Sequence, residues 1–254
     1  MGDRGHVTAF QSSPQLTAPA AAERLLPALA PACVAEAIGT FALVFAGCGA
    51  IMTDQLSGAQ VTHVDVGLVF GLVIAAMGYA TGHISGAHLN PAVTLGFVLA
   101  RHFAPRRLVR YWLAQLAAAT AAALTLRLVL GNVAHLGATA PAGSGGAWQS
   151  FALEALLTLF LMFVIMAVAT DTRAVGQAAA LAIGATVGLE ALFAGPISGA
   201  SMNPARSLGP ALVSGSWAAL WVYLSAPLLG AAAAALVYRW LRQASLAANA
   251  AERQ

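Results

Sequence analysis

The chain has 254 residues, of which 59% are hydrophobic and only 8% are charged, whereas a soluble domain carries about 25% charged residues. Its apolar residues come in long runs, which indicates membrane spans rather than a large soluble core. The net charge is +3, and all 12 basic residues are arginines that lie singly or in one short cluster, which argues against binding to nucleic acid.

The first segment, residues 1–30, is rich in Ala, Pro and Ser, which predicts a disordered cytoplasmic tail. It lacks the basic-then-apolar order of a cleavable signal peptide. A helix needs about 20 apolar residues to cross a hydrocarbon core of about 30 Å. Runs of this kind predict six spans, at residues 32–53, 64–82, 108–130, 148–170, 177–194 and 217–240. They form one membrane domain over residues 31–243, and residues 244–254 are expected to follow as a C-terminal tail, which is cytoplasmic in the orientation argued below.

Two shorter apolar segments, residues 91–100 and 204–213, each begin with proline and are flanked by glycines. Ten helical residues cover only about 15 Å, half the thickness of the hydrocarbon core. These segments therefore predict half-helices that enter the membrane without crossing it.

The arginines predict the orientation of the spans. They lie between spans two and three (Arg101, Arg106, Arg107, Arg110), between spans four and five (Arg173), and at the end of span six (Arg239, Arg242). The connections between spans one and two and between spans three and four contain none. By the positive-inside rule both termini are cytoplasmic. Arg127, at the opposite end of span three, is the exception, and we expect it to snorkel.

The sequence also contains an internal repeat. Residues 85–96 read SGAHLNPAVTLG, and residues 198–209, which start 113 positions later, read SGASMNPARSLG. The chain therefore has two related halves, at about residues 31–130 and 148–242, each with three spans and one half-helix. Three is odd, so the halves have opposite polarity, and interrupted helices of such inverted repeats meet near the midplane. Broken backbone at that depth must be buried in protein or line a water-filled cavity, so the architecture predicts a pore.

The Asn-Pro-Ala triplets begin the two half-helices. Asn90 and Asn203 fit the N-cap position, with Pro91 and Pro204 at the first helical position, and Ala92 and Ala205 complete the motifs. A cap uses the side-chain oxygen, so the amide N–H groups can donate into the pore. Two opposed helix N-termini would each add roughly half a positive charge. A cation or proton would be repelled there, whereas a neutral molecule with a lone pair would be held.

The lead-in segments, residues 84–89 and 197–202, are expected to be extended and to present carbonyl oxygens along the pore. Gly86 and Gly199 permit the backbone conformation that this requires. The predicted pore-lining residues of these segments are Ile84, Gly86, Ser198 and Gly199. His83, just before the first segment, could line the cytoplasmic part of the pore or pack within the bundle.

From residues 33 to 240 the chain resembles the aquaporin, or major intrinsic protein, family. The resemblance rests on TGHISGAHLNPAVTLG, on GPISGASMNPARSLGPA, which is most similar to the nodulin-like branch, and on the Glu-bearing first and fourth spans. It implies an all-α membrane fold, a right-handed bundle of six tilted helices and two re-entrant half-helices, usually assembled as a homotetramer. It also implies a passive channel in the lipid bilayer, in the cell (inner) membrane, for water or other small neutral solutes.

The resemblance further implies a selectivity filter formed by Phe70, Ala191, Ala200 and Arg206. Water-specific members usually place His where this chain has Ala191, and glycerol-specific members usually place Asp where it has Ser207. Two alanines predict a filter that is wider and more apolar than a strict water pore, while Phe70 narrows one side. This filter predicts passage of water together with glycerol or metalloid acids, and a strict water channel is the alternative.

Buried acids in two spans leave a second alternative open. Glu36 and Glu154 could transfer protons, as in a secondary transporter, or could accept N–H bonds from the adjacent re-entrant loops, which their repetition in both halves favours. No nucleophile–base pair or metal-ligand cluster is apparent, and Cys33 and Cys48 form no disulfide framework. A chain without lysine cannot complete a phosphate-binding P-loop. We therefore expect no enzymatic activity and no cofactor.

Overall fold

A computed structural model describes residues 28–170 and 178–251. The other residues lie outside these ranges, and they include nearly all of the predicted N-terminal tail, Arg173, and the first residue of the predicted fifth span.

Helices account for the regular structure of the described chain. In order they are α1 (Leu29–Ser57), α2 (His63–Ser85), α3 (Pro91–Leu99), α4 (Leu108–Leu130), α5 (Gly146–Thr170), α6 (Ala179–Ser198), α7 (Pro204–Ser214) and α8 (Leu220–Ala251), with short 3-10 turns at Pro105–Arg107 and Ala134–Gly137. Within the described ranges, six of these helices are long and apolar enough to cross a membrane, namely α1, α2, α4, α5, α6 and α8. The predicted all-helical fold with six spans and two shorter helices is confirmed.

The helix ends differ from the predicted ones where glycine terminates a helix. Both α2 and α6 continue to the serine before a glycine in the left-handed conformation, Gly86 with φ 89° and Gly199 with φ 84°. Residues 84–85 and 197–198, which we expected to be extended, therefore belong to the last helical turns. In addition, α1 begins at Leu29, inside the predicted tail, and α8 begins at Leu220 and continues to Ala251.

Small residues let the spans approach closely. A Cβ on Gly71 of α2 would lie 2.7 Å from the carbonyl oxygen of Gly184 on α6, and a Cβ on Gly230 of α8 would overlap the backbone of α5 at Ala155. These are the two pairs of spans that pack most extensively. Membrane helices associate through such close contacts, because lipid supplies no hydrophobic drive between them.

The two half-helices link the halves of the chain. Helix α3, from the first repeat, packs against α8 of the second, and α7, from the second repeat, packs against α4 of the first. Large apolar side chains cover the outside of the bundle, among them Leu72, Leu128, Leu189 and Phe193. The bundle thus presents an apolar exterior and holds its broken helices inside.

Candidate functional site

Two short loops lead into the half-helices, and they have the same backbone conformation. We call residues 86–90 the first loop and residues 199–203 the second loop. Positive φ angles recur at equivalent places, 46° at Ala87 and 51° at Leu89 in the first loop, and 41° at Ala200 and 53° at Met202 in the second. Non-glycine residues rarely adopt such angles, so each loop needs compensating interactions.

Glu36 supplies those interactions to the first loop. This fully buried carboxylate on α1 accepts hydrogen bonds from four donors. They are Ser85 Oγ at 2.7 Å, His88 N at 2.8 Å, Leu89 N at 2.6 Å and Gln115 Nε2 at 2.8 Å. The geometry gives both carboxylate oxygens partners within the protein.

Glu154 on α5 has the equivalent place beside the second loop. It is also fully buried, and it accepts hydrogen bonds at 2.8 Å from Ser198 Oγ, Ser201 N and Met202 N. Ser198, which we predicted to line the pore, is fully buried, and its hydroxyl group is engaged in this bond. A glutamine like Gln115 is missing from this set of donors, which makes Glu154 the less fully bonded of the two acids.

Asn90 and Asn203 cap the half-helices and also join the two loops. Asn90 Oδ1 accepts from Ala92 N at 2.8 Å, and Asn203 Oδ1 accepts from Ala205 N at 2.9 Å. Asn90 Nδ2 donates to Met202 O at 2.8 Å, and Asn203 Nδ2 donates to Leu89 O at 2.9 Å. Because an amide nitrogen carries two N–H donors, one on each asparagine remains for another acceptor.

Three cavities follow one another through the bundle. The central cavity has a volume of about 70 Å³, and both capping asparagines line it. We name its neighbours the Arg206 vestibule, about 440 Å³ and lined by Asp54, His63 and Arg206, and the His102 vestibule, about 460 Å³ and lined by His102, Arg107 and Tyr111. The cavities adjoin because the central one shares wall residues with each vestibule.

Phe70, Ala200 and Arg206 form the boundary between the central cavity and the Arg206 vestibule. The Cζ atom of Arg206 lies 5.0 Å from the centroid of the Phe70 ring. Arg206 itself is 3% exposed, and its Nη1 donates to Gly137 O at 2.7 Å. Ala191 lines the Arg206 vestibule next to this boundary. The structure thus brings together the four residues that the family resemblance assigns to a filter.

Two glycines that the sequence did not mark hold this boundary in place. Gly137 ends a turn in which four successive residues are left-handed, with φ of 49°, 47°, 57° and 68° from Ala134 onward. That turn brings the Gly137 carbonyl to Arg206. Gly47 lies on α1 where a Cβ would overlap the Phe70 ring. Only the close packing of the folded chain reveals either role.

The opposite boundary of the central cavity contains His88. Gly86, His88, Phe97 and Ala169 line both the central cavity and the His102 vestibule. The His88 ring stacks on Phe97 with centroids 4.6 Å apart, and its Nδ1 lies 3.2 Å from Thr94 Oγ1. Partial burial and the nearby Arg242 guanidinium lower the pKa of His102, which favours the neutral form of its ring.

The remaining predicted residues have other places. His83 and Ile84, predicted to line the pore, lie in the last turn of α2 and are absent from the walls of these three cavities. Gly199 lines the Arg206 vestibule. The rest of each motif, Pro91 and Ala92 with Pro204 and Ala205, is buried in the first turn of its half-helix. Their part is to begin these helices behind the capping asparagines.

Within residues 28–170 and 178–251, no group of three His, Cys, Asp or Glu side chains is placed to hold a metal ion. One further acid, Glu190 on α6, is buried beside Ala191, and its Oε2 has no hydrogen-bond partner in the described part of the chain. The sequence had suggested no role for Glu190, and its surroundings do not supply one.

Comparison with known proteins identifies the family. Residues 26–238 match the major intrinsic protein family. Aquaporin NIP1-4 of Oryza sativa subsp. japonica is 55% identical over 210 residues, which are 82% of this chain and 76% of that protein. Nodulin-26 of Glycine max is 47% identical over 210 residues, 82% of this chain and 77% of that protein.

A solved structure agrees with this match. The X-ray structure of the aquaglyceroporin from Plasmodium falciparum superposes with a TM-score of 0.75 at 27% sequence identity, and the match covers 84% of this chain and 96% of that one. The sequence match, the six apolar helices and the paired half-helices lead to one conclusion: the chain belongs to the major intrinsic protein family and is a multi-pass integral membrane channel.

Proposed function

We propose that the chain is a passive pore for water and other small neutral solutes, and that it excludes ions and protons. The observation that carries this proposal is the central cavity, which Asn90 and Asn203 line between two larger vestibules. Two helix N-termini and two amide groups face the same space, which gives donors and positive potential to a solute's lone pair. The described residues that line this cavity include no Asp or Glu, so a cation finds no carboxylate there.

The solutes include at least one molecule larger than water, such as glycerol or an uncharged metalloid acid. Ala191 and Ala200 have only methyl side chains in the wall of the Arg206 vestibule, which leaves space and an apolar wall on that side. Such a wall can pass a solute with a hydrophobic face, because few wall groups lose a partner. Arg206 still offers charge-assisted donors to a hydroxyl group. One solved relative is described as an aquaglyceroporin, which supports glycerol as a solute.

A strict water channel is the second candidate, and one contact favours it. The Phe70 ring lies beside the Arg206 guanidinium, which restricts the boundary from that side. Secondary transport is less well supported, because Glu36 and Glu154, its candidate coupling acids, have their oxygens occupied by donors from the loops. We also propose that the chain has no enzymatic activity and needs no cofactor.

The family resemblance and the arginine distribution support a proposal for which membrane contains the chain and which side its termini face. We infer that the pore lies in the cell (inner) membrane with both termini in the cytoplasm, so that the Arg206 vestibule opens outward.

We further infer a homotetramer, since small residues and exposed apolar side chains such as Leu189 and Phe193 suit contacts between subunits. Light scattering in several mild detergents tests this, and a uniform monomer in all of them would contradict it.

The test of function is stopped-flow light scattering on proteoliposomes that contain the purified chain. We expect rapid water flux, measurable flux of glycerol or arsenous acid, and no dissipation of a proton gradient. Rapid water flux with negligible flux of both larger solutes would identify a strict water channel. Solute accumulation driven by a proton gradient would instead identify a transporter.

A further inference from the structure

The C-terminal ends of the two half-helices each depend on an arginine from the other repeat. Arg127, in the last turn of α4, donates from Nη1 to Val213 O of α7 at 2.7 Å. Arg239 of α8 donates from Nη1 to Leu99 O of α3 at 3.3 Å. Spans of one half therefore hold the broken helices of the other half.

The two arginines are related by the internal repeat. Arg239 follows Arg127 by 112 positions, and the accepting residues, Leu99 and Val213, are 114 positions apart, close to the 113-position offset of the Asn-Pro-Ala motifs. Neither half-helix has a basic residue in its own last turn. A donor from an arginine of the other repeat thus reaches the C-terminal end of both half-helices.

The C-terminal end of a helix requires hydrogen-bond donors from outside the helix. The last four carbonyl groups of a helix have no intrahelical donor, and the end carries a partial negative charge. In α3 the chain itself provides donors for three of them, since Gly96 O, Phe97 O and Val98 O accept backbone N–H groups of residues 100–103. Leu99 O is the fourth, and Arg239 is the donor that it receives.

The opposite ends of the half-helices are also held by the other repeat, through the bonds that Asn90 and Asn203 make across the two loops. Each half-helix is therefore fixed at both ends by the half of the chain to which it does not belong. Arg206 lies in the first turn of α7, so the helix that Arg127 holds is the one that carries the filter arginine.

We propose that Arg127 and Arg239 are positioning residues of the pore: each caps the re-entrant helix of the other repeat, and Arg127 thereby keeps Arg206 at the boundary with Phe70. The effect on permeation rests on the proposed function, whereas the capping does not. Arg127 is therefore retained at the end of a span where the positive-inside rule places no arginine, because the C-terminus of α7 needs a cation.

Hydrogen–deuterium exchange tests the capping without any flux. In detergent, Arg127→Gln should speed exchange in the last two turns of α7 by about two- to fivefold and leave α3 unchanged. Arg239→Gln should do the reverse. Arg110→Gln, at an exposed site in the first turn of α4, is the control and should change neither helix. Unchanged exchange in both half-helices, or equal changes in both for each variant, would overturn the capping.

Proteoliposome flux then separates positioning from general stability. Arg239→Gln should lower water and glycerol flux together by about two- to fivefold. Arg127→Gln should also raise the glycerol-to-water flux ratio, because α7 carries Arg206. Arg127→Lys should restore the wild-type ratio, since an ammonium group can donate to the single acceptor Val213 O. A wild-type glycerol-to-water flux ratio in Arg127→Gln would refute the link between Arg127 and the filter. Absence of any flux through the wild-type chain would refute the proposed function, and hydrogen–deuterium exchange would then still decide whether the arginines cap the half-helices.

Discussion

The Arg206 guanidinium lies over the Phe70 ring at the boundary between the central cavity and the Arg206 vestibule, with its Cζ atom 5.0 Å from the ring centroid. A cation near an aromatic face gains about 0.5–2 kcal/mol, so the contact orders both side chains. The nearby Ala191 and Ala200 cannot reach into the space that remains. The size of the opening therefore depends on how firmly the ring and the guanidinium are held.

The substitution Ala191→His should make the pore more selective for water. A histidine there adds bulk and a donor at the wall of the Arg206 vestibule. We expect the flux of glycerol or arsenous acid to fall by about tenfold and water flux to fall by less, because a loss of about 1.4 kcal/mol in passage of the larger solute is a factor of ten. Stopped-flow measurements of both solutes on one preparation give the ratio. An equal loss for water and the larger solute would contradict this account of the filter.

The substitution Gly47→Ala should displace Phe70. A Cβ at this position would overlap the ring and push it from α1 toward Arg206. We expect a smaller glycerol-to-water flux ratio, even though alanine favours a helix over glycine by about 1 kcal/mol.

Gly49→Ala is the control for Gly47→Ala, since its Cβ would meet only the end of the Leu126 side chain, at 3.3 Å. The two variants are compared by flux ratio and by thermal unfolding midpoint. If Gly49→Ala changed the flux ratio as much as Gly47→Ala, the effect could not be ascribed to Phe70.

Replacing either central asparagine by aspartate should impair the pore. Asp at position 90 would place a carboxylate oxygen where Asn90 Nδ2 now donates to Met202 O at 2.8 Å, and Asp at 203 would do the same against Leu89 O. A donor becomes an acceptor facing an acceptor, so we expect water flux to fall by about tenfold or more. Asn132→Asp, at an exposed site outside the pore, is the control. Unchanged water flux and unchanged cation exclusion in both pore variants would contradict the proposal that Asn90 and Asn203 donate hydrogen bonds into the central cavity.

Replacing the three buried acids Glu36, Glu154 and Glu190 by glutamine should change the thermal unfolding midpoint by different amounts. Hydrogen bonds to charged groups contribute about 1.5–3 kcal/mol each. Glu36→Gln disturbs four bonds and Glu154→Gln disturbs three, so the unfolding midpoint should fall most in the first variant. Glu190→Gln should leave the midpoint unchanged or raise it, because Glu190 Oε2 has no hydrogen-bond partner in the described part of the chain and burying an ionised carboxyl group is costly. A larger loss in Glu190→Gln than in the other two would show that its carboxylate has an essential partner.

The fold could be predicted from the sequence because the bilayer demands long apolar helices, and the described part of the chain contains six of them. The ends of α2 and α6 could not, because the sequence has several glycines near each end. Gly82 stays within α2, and Gly86 alone adopts the left-handed conformation that stops it. Which glycine ends a helix is decided by the loop that follows, and here Glu36 and Glu154 hold that loop.

The sequence predicted the part of the candidate site that lies in the repeated motif. It placed Asn90, Asn203 and Arg206 on the loops and half-helices where the structure has them. It did not predict which loop side chains face the cavity, because alanine and leucine give no sign of the positive φ that Ala87 and Leu89 adopt. Those angles turn the N–H groups of His88 and Leu89 toward Glu36. The wall of the central cavity therefore contains His88, whereas His83 lies outside it.

The bonds between the two loops also set the order in which the chain can complete its pore during synthesis. Asn90 reaches Met202 across 112 positions, and Asn203 reaches Leu89 across 114. Contacts between such distant positions form only after the intervening chain is made and inserted. The first three spans therefore enter the membrane before their half-helix has its counterpart, and the central cavity closes around its donors only when the second repeat arrives. We therefore expect the pore to be complete only after the second repeat has been made and inserted.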